Sequence, residues 1–352
     1  MKNVSILIIF LLLSTTCNFE SKDKLCFRKN RKINGEVKSL HNAFLSKPHR
    51  ILSWDKYAIV IDNVNSKFIK VIDLEQNKLV SEFADMGRGP NEISYFGDAW
   101  IDQLNNNLEI LDLTNKSIHV YSLRNLEDKD IKPIAKIELE SPGEFKRMHY
   151  SRIHRLSDSL LISAGILEVG RFALINGIGK YIGPFEDIDI YGEEFSSFSN
   201  IENCLALQGK LRGEQNLGKF VFATTKSAFI HFYQYQDQNI TSVKNIKYFS
   251  APPIRIENSI ATSREIPFAF MDVATSKDFV FALYSGKSVA QHNLNSDECT
   301  QIFVYDWKGN PIEEIEIGIP CKIFCYHEKL NSLVGIAEIP EPQIVIYNLA
   351  EK

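Results

Sequence analysis

From Pro48 to its end the chain repeats one unit, four short runs in which apolar and polar residues alternate, and the final repetition stops one run short. The first unit is the clearest. HRILSW, YAIVID, SKFIKVIDLE and KLVSEFAD follow one another through turns such as NVN and EQN, and the chain then turns through Met86-Gly87-Arg88-Gly89-Pro90-Asn91-Glu92-Ile93. Period-2 runs joined this way form an antiparallel meander. A lone meander cannot cover both of its faces, so such units must be stacked to bury a core. Four more groups follow, GDAWID to KPIAKIELE, MHYSRIH to KYIG, CLALQGKL to ITSVKNIKYF, and FAFMDVA to PIEEIEIG. CKIFCYH, SLVGIAE and QIVIYNL form a three-run remainder, and one unassigned run, Val37 to Phe44, waits at the other end. Pairing the two ends within one sheet completes the last unit and closes a ring without a gap. The expectation is an all-β, six-bladed β-propeller closed by an N-terminal strand, with Val37 to Phe44 beside Gln343 to Leu349. Prolines at 48, 90, 142, 184, 252 and 320 mark the six units; an extra blade in the long fourth or fifth segment would make seven.

The N-terminus gives an address. Lys2 precedes an apolar stretch from Val4 to Leu13, too short for a spanning helix of about 20 residues and of the length of a signal peptide. Leu13-Ser14-Thr15-Thr16-Cys17-Asn18 resembles a bacterial lipoprotein signal, in which the Cys is lipidated and becomes the first mature residue; Thr16 departs from the small residue usual there. The resemblance implies a signal peptide over 1–16, an acylated Cys17 with a flexible tether over 17–32, and the propeller over 33–352. Two or more acyl chains hold a soluble domain at a bilayer, whereas one does so marginally.

A net charge of −4 with interspersed Lys and Glu leaves no basic stripe, which argues against a nucleic-acid partner. Aromatic and β-branched residues abound, and no segment shows a convincing amphipathic helix. Besides Cys17 there are Cys26, Cys204, Cys299, Cys321 and Cys325, an odd number, so pairing within one chain is incomplete. Cys321 and Cys325, four apart on one expected strand, would lie about 13 Å apart, too far for a disulfide. No second Cys or His pair supports zinc, and buried, inert thiols are expected.

Gly87-Arg88-Gly89-Pro90-Asn91-Glu92-Ile93 resembles the G-x-G-P-G-E-F turn of the TolB-like six-bladed β-propeller lipoproteins common in Bacteroidetes, and Pro142-Gly143-Glu144-Phe145 echoes it one blade later. Asn91 and Ile93 replace the usual Gly and Phe. The resemblance implies fold and envelope location, and no assigned activity. Physically, Gly87 and Gly89 suit backbone angles closed to other residues, Pro90 fixes the direction of the chain, and Glu92 can accept backbone hydrogen bonds. Arg88 has no evident structural duty; pointed into the channel, it would favour an anionic or carboxylate ligand.

In a four-stranded antiparallel blade, the turn between second and third strands and the connection to the next blade emerge on one face. The long insertions Phe185 to Asn203, Ser250 to Pro267 and Ser285 to Glu298 all fall there, and long loops on a rigid scaffold carry binding. The first carries Glu186, Asp187, Asp189, Glu193, Glu194 and Glu202 interleaved with Phe185, Tyr191, Phe195 and Phe198. Carboxylates beside aromatic faces suit a sugar, a cation or a basic peptide; the alternative is a solvated loop whose aromatics pin it to the rim.

Catalytic signatures are weak: there is no G-x-S-x-G, H-E-x-x-H or P-loop. His149 and His154 flank one inner strand, and His231, His292 and His327 lie in separate blades. No cofactor, catalytic residue or metal ligand is assigned. Single ligands spread around a ring leave no local spacing, so a divalent metal in the central channel stays an open alternative. The leading expectation is a lipid-anchored outer-membrane protein, facing periplasm or cell surface, that binds a glycan or peptide through its loop-rich face. The alternatives are a metal-dependent lyase or hydrolase in the channel, and a platform for assembly with another envelope protein.

Overall fold

The alternating runs pair as the period-2 pattern requires. The computed structural model describes residues 27–350 apart from 63–66, 142, 144, 146, 147 and 258, with backbone alone at 189, 190 and 294. Six antiparallel blades follow in chain order, each with a first, inner strand and a fourth, outer one. Blade 1 spans 48–85, blade 2 96–138, blade 3 149–185, blade 4 209–249 and blade 5 270–321. Blade 6 takes three strands over 323–348 and its outer strand from the N-terminus. The inner strands touch one another in the order 1-2-3-4-5-6-1, which closes the ring. Apolar clusters fill the spaces between neighbouring blades, as with Leu111, Tyr150 and Ile175 between blades 2 and 3 and Ile51, Val334 and Ile346 between blades 1 and 6.

Closure occurs as expected in kind, with a shifted and shorter strand. Gly35–Lys38 pairs antiparallel with Pro342–Asn348, Gly35 opposite Tyr347 and Lys38 opposite Ile344. A Cβ at Gly35 would stand 2.4 Å from Val345 Cγ1 and 2.8 Å from Tyr347 Cε1, so the sheet needs glycine at this point. Val37 is half exposed and Phe44 exposed. Beyond Lys38 the chain leaves blade 6, bonds once to the edge of blade 1 through His41 N–H and Asn77 O, and buries Leu45.

Three further differences have local causes. Asn30–Ile33, of which 30–32 were expected as tether, is a strand lying parallel to Pro311–Cys321 on the outer edge of blade 5, because Ile33 has an apolar cluster to enter. CLA of the run CLALQGKL is not strand but the end of a helix, Asn200–Ala206, and the inner strand of blade 4 is Gly209–Glu214. Ser199 and Glu202 form a reciprocal capping box at its start, a signal readable in S-x-x-E. Cys321 and Cys325 do not share a strand: Cys321 ends blade 5 and Cys325 lies in the inner strand of blade 6, Ile323–His327. Cys204, Cys299, Cys321 and Cys325 are free and buried, and burial pushes the Cys321 and Cys325 thiols up to about 12. Cys17 and Cys26 lie outside the described residues.

Candidate functional site

The inner strands share a local irregularity that aims charge at the axis. In blades 1, 2, 3 and 5 a register shift interrupts the first pair of strands, and the residue just after it is Arg50, Asp98, Arg152 or Asp272. A bulge adds one residue on one strand and re-aims the side chain that follows. The first strand pair of blade 4 has no bulge, but Lys210 pairs with Ala223, the penultimate residue of its second strand, as Arg50, Asp98 and Asp272 pair with Ile61, Leu111 and Leu283. Arg212 stands two residues further along.

These side chains meet across the axis. Arg50 of blade 1 pairs with Asp272 of blade 5 at 3.4 Å, and Arg212 of blade 4 with Asp98 of blade 2 at 2.9 Å; each pair skips a blade, which contacts along the ring could not do. Arg212 also reaches Asp272 at 3.8 Å, and Phe324 N–H donates to Asp272 Oδ2. All four are buried. Burial alone would raise the Asp98 carboxyl, but Arg212, Arg152 and Arg50 outweigh it and hold it below the usual carboxylate range. His154 is buried beside them, and burial with the Arg212 and Arg155 charges brings it down to about 3, so it is neutral.

The two ends of the channel differ. At the end where the inner strands terminate, Gln103 of blade 2 donates its backbone N–H to Gln215 Oε1 and its amide to Glu214 Oε2, and Thr275 of blade 5 donates to Glu214 Oε1. These bonds tie blades 2, 4 and 5 across that mouth. The other mouth, on the loop-rich face, presents exposed His49 and partly exposed Arg152 and Lys210. Beside it two long insertions wall a pocket of about 550 Å³ lined by Arg264, Phe268, Val289, Asn293, Ser296 and Asp297. The insertions are fastened backbone to backbone, through Ala290 N–H to Arg264 O and Phe268 N–H to Lys287 O. Phe268 stands two residues before the inner strand that carries Asp272, Phe270–Thr275, which sets the pocket at the blade 5 side of the mouth. A hairpin not foreseen in the sequence, Ile254–Ile256 with Ser259–Ala261, rises from the same insertion.

The loop 185–203 is largely sewn into the rim. Tyr191 and Phe195, expected as ligand contacts, are buried, correcting that assignment. Tyr191 stacks on His231 at 4.9 Å and meets Phe229 edge-on at 4.9 Å, because a loop this long must bury apolar rings to hold its course. Glu186 accepts from Tyr233 Oη at 2.5 Å, and burial pushes its carboxyl up. Burial also opposes ionisation of Glu194, yet hydrogen bonds from Lys247 and Ser250 prevail and bring it to about 2. Glu202 serves the helix cap and Arg255. Asp187 and Glu193 are exposed, and the Asp189 side chain lies outside the described ones. Tyr191→Ala should therefore cost about 3 kcal/mol or more of stability, as for other buried rings, in a chemical denaturation series; a change under about 0.5 kcal/mol would return the ring to the exposed class.

The GRGPNEI turn is structural. Gly89 N–H donates to Glu92 Oε2 at 2.7 Å, and Gly87 N–H to Ile93 O. The glycines serve space rather than unusual backbone angles, correcting the expectation: a Cβ on Gly87 would lie 1.9 Å from Glu92 Oε2, and one on Gly89 2.9 Å from Glu92 Cδ, while neither has positive φ. Pro90 and Arg88 are exposed; the guanidinium groups that meet in the channel are those of Arg50 and Arg212. Pro142 and Glu144 of the echo lie outside the described residues. Among the described residues no group of three His, Cys, Asp or Glu is placed to hold a metal, and the exposed side of the ring is cationic. The histidines do not converge: His292 is exposed on a short helix, Val289–His292, His231 is buried under the rim, and His327 is buried in blade 6.

Residues 27–329 match the model of the TolB-like 6-blade propeller-like family. Among solved structures, a protein of Bacteroides fragilis named for export is 11% identical with a TM-score of 0.58, covering 92% of this chain and 99% of its own. A member of the duf4221 family from Bacteroides vulgatus is 13% identical with a TM-score of 0.58, covering 91% and 98%. At such identities the likeness is one of fold. No curated protein matches the chain. With the ring of six blades and a family match over 27–329 of its 352 residues, this chain belongs to the TolB-like 6-blade propeller-like family.

Proposed function

We propose that this chain is a lipid-anchored protein of the cell envelope that captures a glycan or peptide through its loop-rich face. The observation that carries the reading is the pocket of about 550 Å³ between the insertions 250–267 and 285–298, since concave sites of this size that mix apolar and polar lining are the usual seats of small ligands. Its walls suit an amphipathic ligand: Phe268 and Val289 offer apolar surface, and Arg264, Asn293, Ser296 and Asp297 offer donors and acceptors. Anchoring rests on the sequence around Cys17, and the export named for a fold relative in Bacteroides fragilis is consistent with it.

The test has two arms. In cells, Cys17→Ala should move the protein from the membrane to the soluble fraction without altering its fold; equal membrane retention would count against the anchor. In vitro, the intact domain is screened by calorimetry against oligosaccharides and short peptides. For whichever probe binds, Arg264→Ala combined with Asn293→Ala should weaken affinity at least tenfold while the melting temperature stays put. Full affinity in that double variant would remove the pocket from the binding site.

A further inference from the structure

The channel ring carries more positive than negative charge, and the surplus faces the loop-rich mouth. Four cations, Arg50, Arg152, Lys210 and Arg212, stand with two carboxylates, Asp98 and Asp272. The two deep pairs, Arg50 with Asp272 and Arg212 with Asp98, use both carboxylates. Arg152 spends Nη1 on two backbone carbonyls, Gly97 O at 3.0 Å and Ser151 O at 2.6 Å, and makes no ion pair among the described residues. The Lys210 side chain makes neither hydrogen bond nor ion pair among the described residues. These two stand on adjacent inner strands, and the Arg152 bond reaches Gly97, the residue after Phe96, whose ring packs on His49 at 6.4 Å.

We propose that the anionic group of a ligand, a carboxylate or a phosphate, is held at this mouth between the Arg152 guanidinium and the Lys210 ammonium, with His49 at its edge. The inference rests on the loop-rich face being the binding face and adds the charge of what it binds. Withdrawing a cation from water costs free energy unless a counter-charge is supplied; the fold gives direct ion pairs to Arg50 and Arg212, while Asp98 and Asp272 act on Lys210, and Asp98 on Arg152, only at longer range. Burial, with the Arg152 charge beside it, brings Lys210 down to about 8 against the longer-range pull of Asp272 and Asp98. A guanidinium fork beside a point-like ammonium suits an anion's oxygens: a carboxylate can give both oxygens to the fork and share one with the ammonium, and a phosphate face can give two to the fork and a third to the ammonium. The buried Asp98 and Asp272 below set the floor: they hold the deep arginines neutralised and keep the anion at the outer level.

The experiment uses one hexose in three charge states, glucose, glucuronate and glucose 6-phosphate, titrated calorimetrically into the intact domain at low ionic strength. At least one charged hexose should bind tenfold or more tighter than glucose, and the difference should shrink as salt is raised. Lys210→Met and Arg152→Ala should each weaken that binding at least tenfold. Because Arg152 also bonds to Gly97, Lys210→Met, judged beside an unchanged melting temperature, is the decisive variant. A second readout is acylation of the Lys210 amine near pH 8, which the charged hexose should slow. Equal binding of all three hexoses, or charged binding that survives Lys210→Met, overturns the inference and leaves the binding face standing. Charged binding abolished by Arg264→Ala and untouched by Lys210→Met overturns it in favour of the neighbouring pocket. If no hexose, oligosaccharide or peptide binds at all, the binding face falls with it.

Discussion

Deleting residues 27–38 should cost on the order of 5 kcal/mol and broaden the unfolding transition, because this segment staples two blades and shuts the ring. Asn30–Ile33 lies parallel on blade 5 and Gly35–Lys38 antiparallel on blade 6, a few residues apart. Ile33 is 2% exposed within the cluster that joins these blades, and truncating such a side chain alone costs about 2–5 kcal/mol. Phe27 adds its ring against Phe303 at 4.9 Å. Arg31 bonds to Leu349 O at 2.7 Å and pairs with Glu313 at 3.0 Å, tying the strap to the last residues of the chain. Each ladder hydrogen bond contributes about 1 kcal/mol net. Removing the strap also bares the outer edges of two sheets, which invites association edge to edge. The measurement is a urea titration of the deletion and of Ile33→Ala beside the parent. A deletion with the parent's midpoint and slope would mean that the ring is held without the strap.

Stability should fall steeply as pH drops below about 6.5, at about 1.4 kcal/mol per pH unit for each of two histidines. His154 is buried beside Arg212 and Arg155, and His231 is fully buried with Arg171 near; burial first, and these charges second, bring both down to about 3. The unfolded chain titrates them near 6.5. Between about 3 and 6.5 the unfolded state therefore holds protons that the folded state refuses, so the stabilising contribution is complete above 6.5 and is lost as pH falls toward 3. The Asp98 carboxyl, held below its ordinary range, acts in a separate window: its contribution is present above about 3.8 and disappears only on further acidification. Urea titrations at pH 7, 6 and 5 measure the slope. The double variant His154→Gln with His231→Gln should flatten it by about 2.7 kcal/mol per pH unit; an unchanged slope would assign acid sensitivity elsewhere.

The candidate site was legible in part. The three long insertions stood out by length, and two of them wall the pocket. Tyr191 and Phe195 misled because an aromatic in an acidic loop reads the same whether it meets a ligand or pins the loop, and only the presence of Phe229 and His231 beneath decides. The charged ring went unseen although each member was in plain view, as the Arg of HRILSW, the Asp of GDAWID, the Arg of SRIH, the Asp of MDVA and the Lys and Arg of GKLR. A charge at the third or fourth position of the inner strand, recurring in blades 1, 2, 3 and 5, was the available signal. Within one blade it is indistinguishable from a solvent-facing position of a half-buried strand.

What the sequence by itself determined is the blade: alternation of period two, turn residues and chain rhythm are local, and local preference is enough to form each meander and to count six of them. The end-to-end closure was legible too, since one strand was short at one terminus and surplus at the other. The register of that closure was not. Whether Gly35 or Val37 begins the strand depends on the space beneath Tyr347, and whether 30–32 is tether or strand depends on the apolar niche that Ile33 enters between blades 5 and 6. The pairs Arg50 with Asp272 and Arg212 with Asp98 join residues 222 and 114 positions apart. Charges this distant in sequence become partners only when the ring closes and brings every inner strand to one axis, so tertiary structure alone decided which were neutralised and which were left facing the mouth.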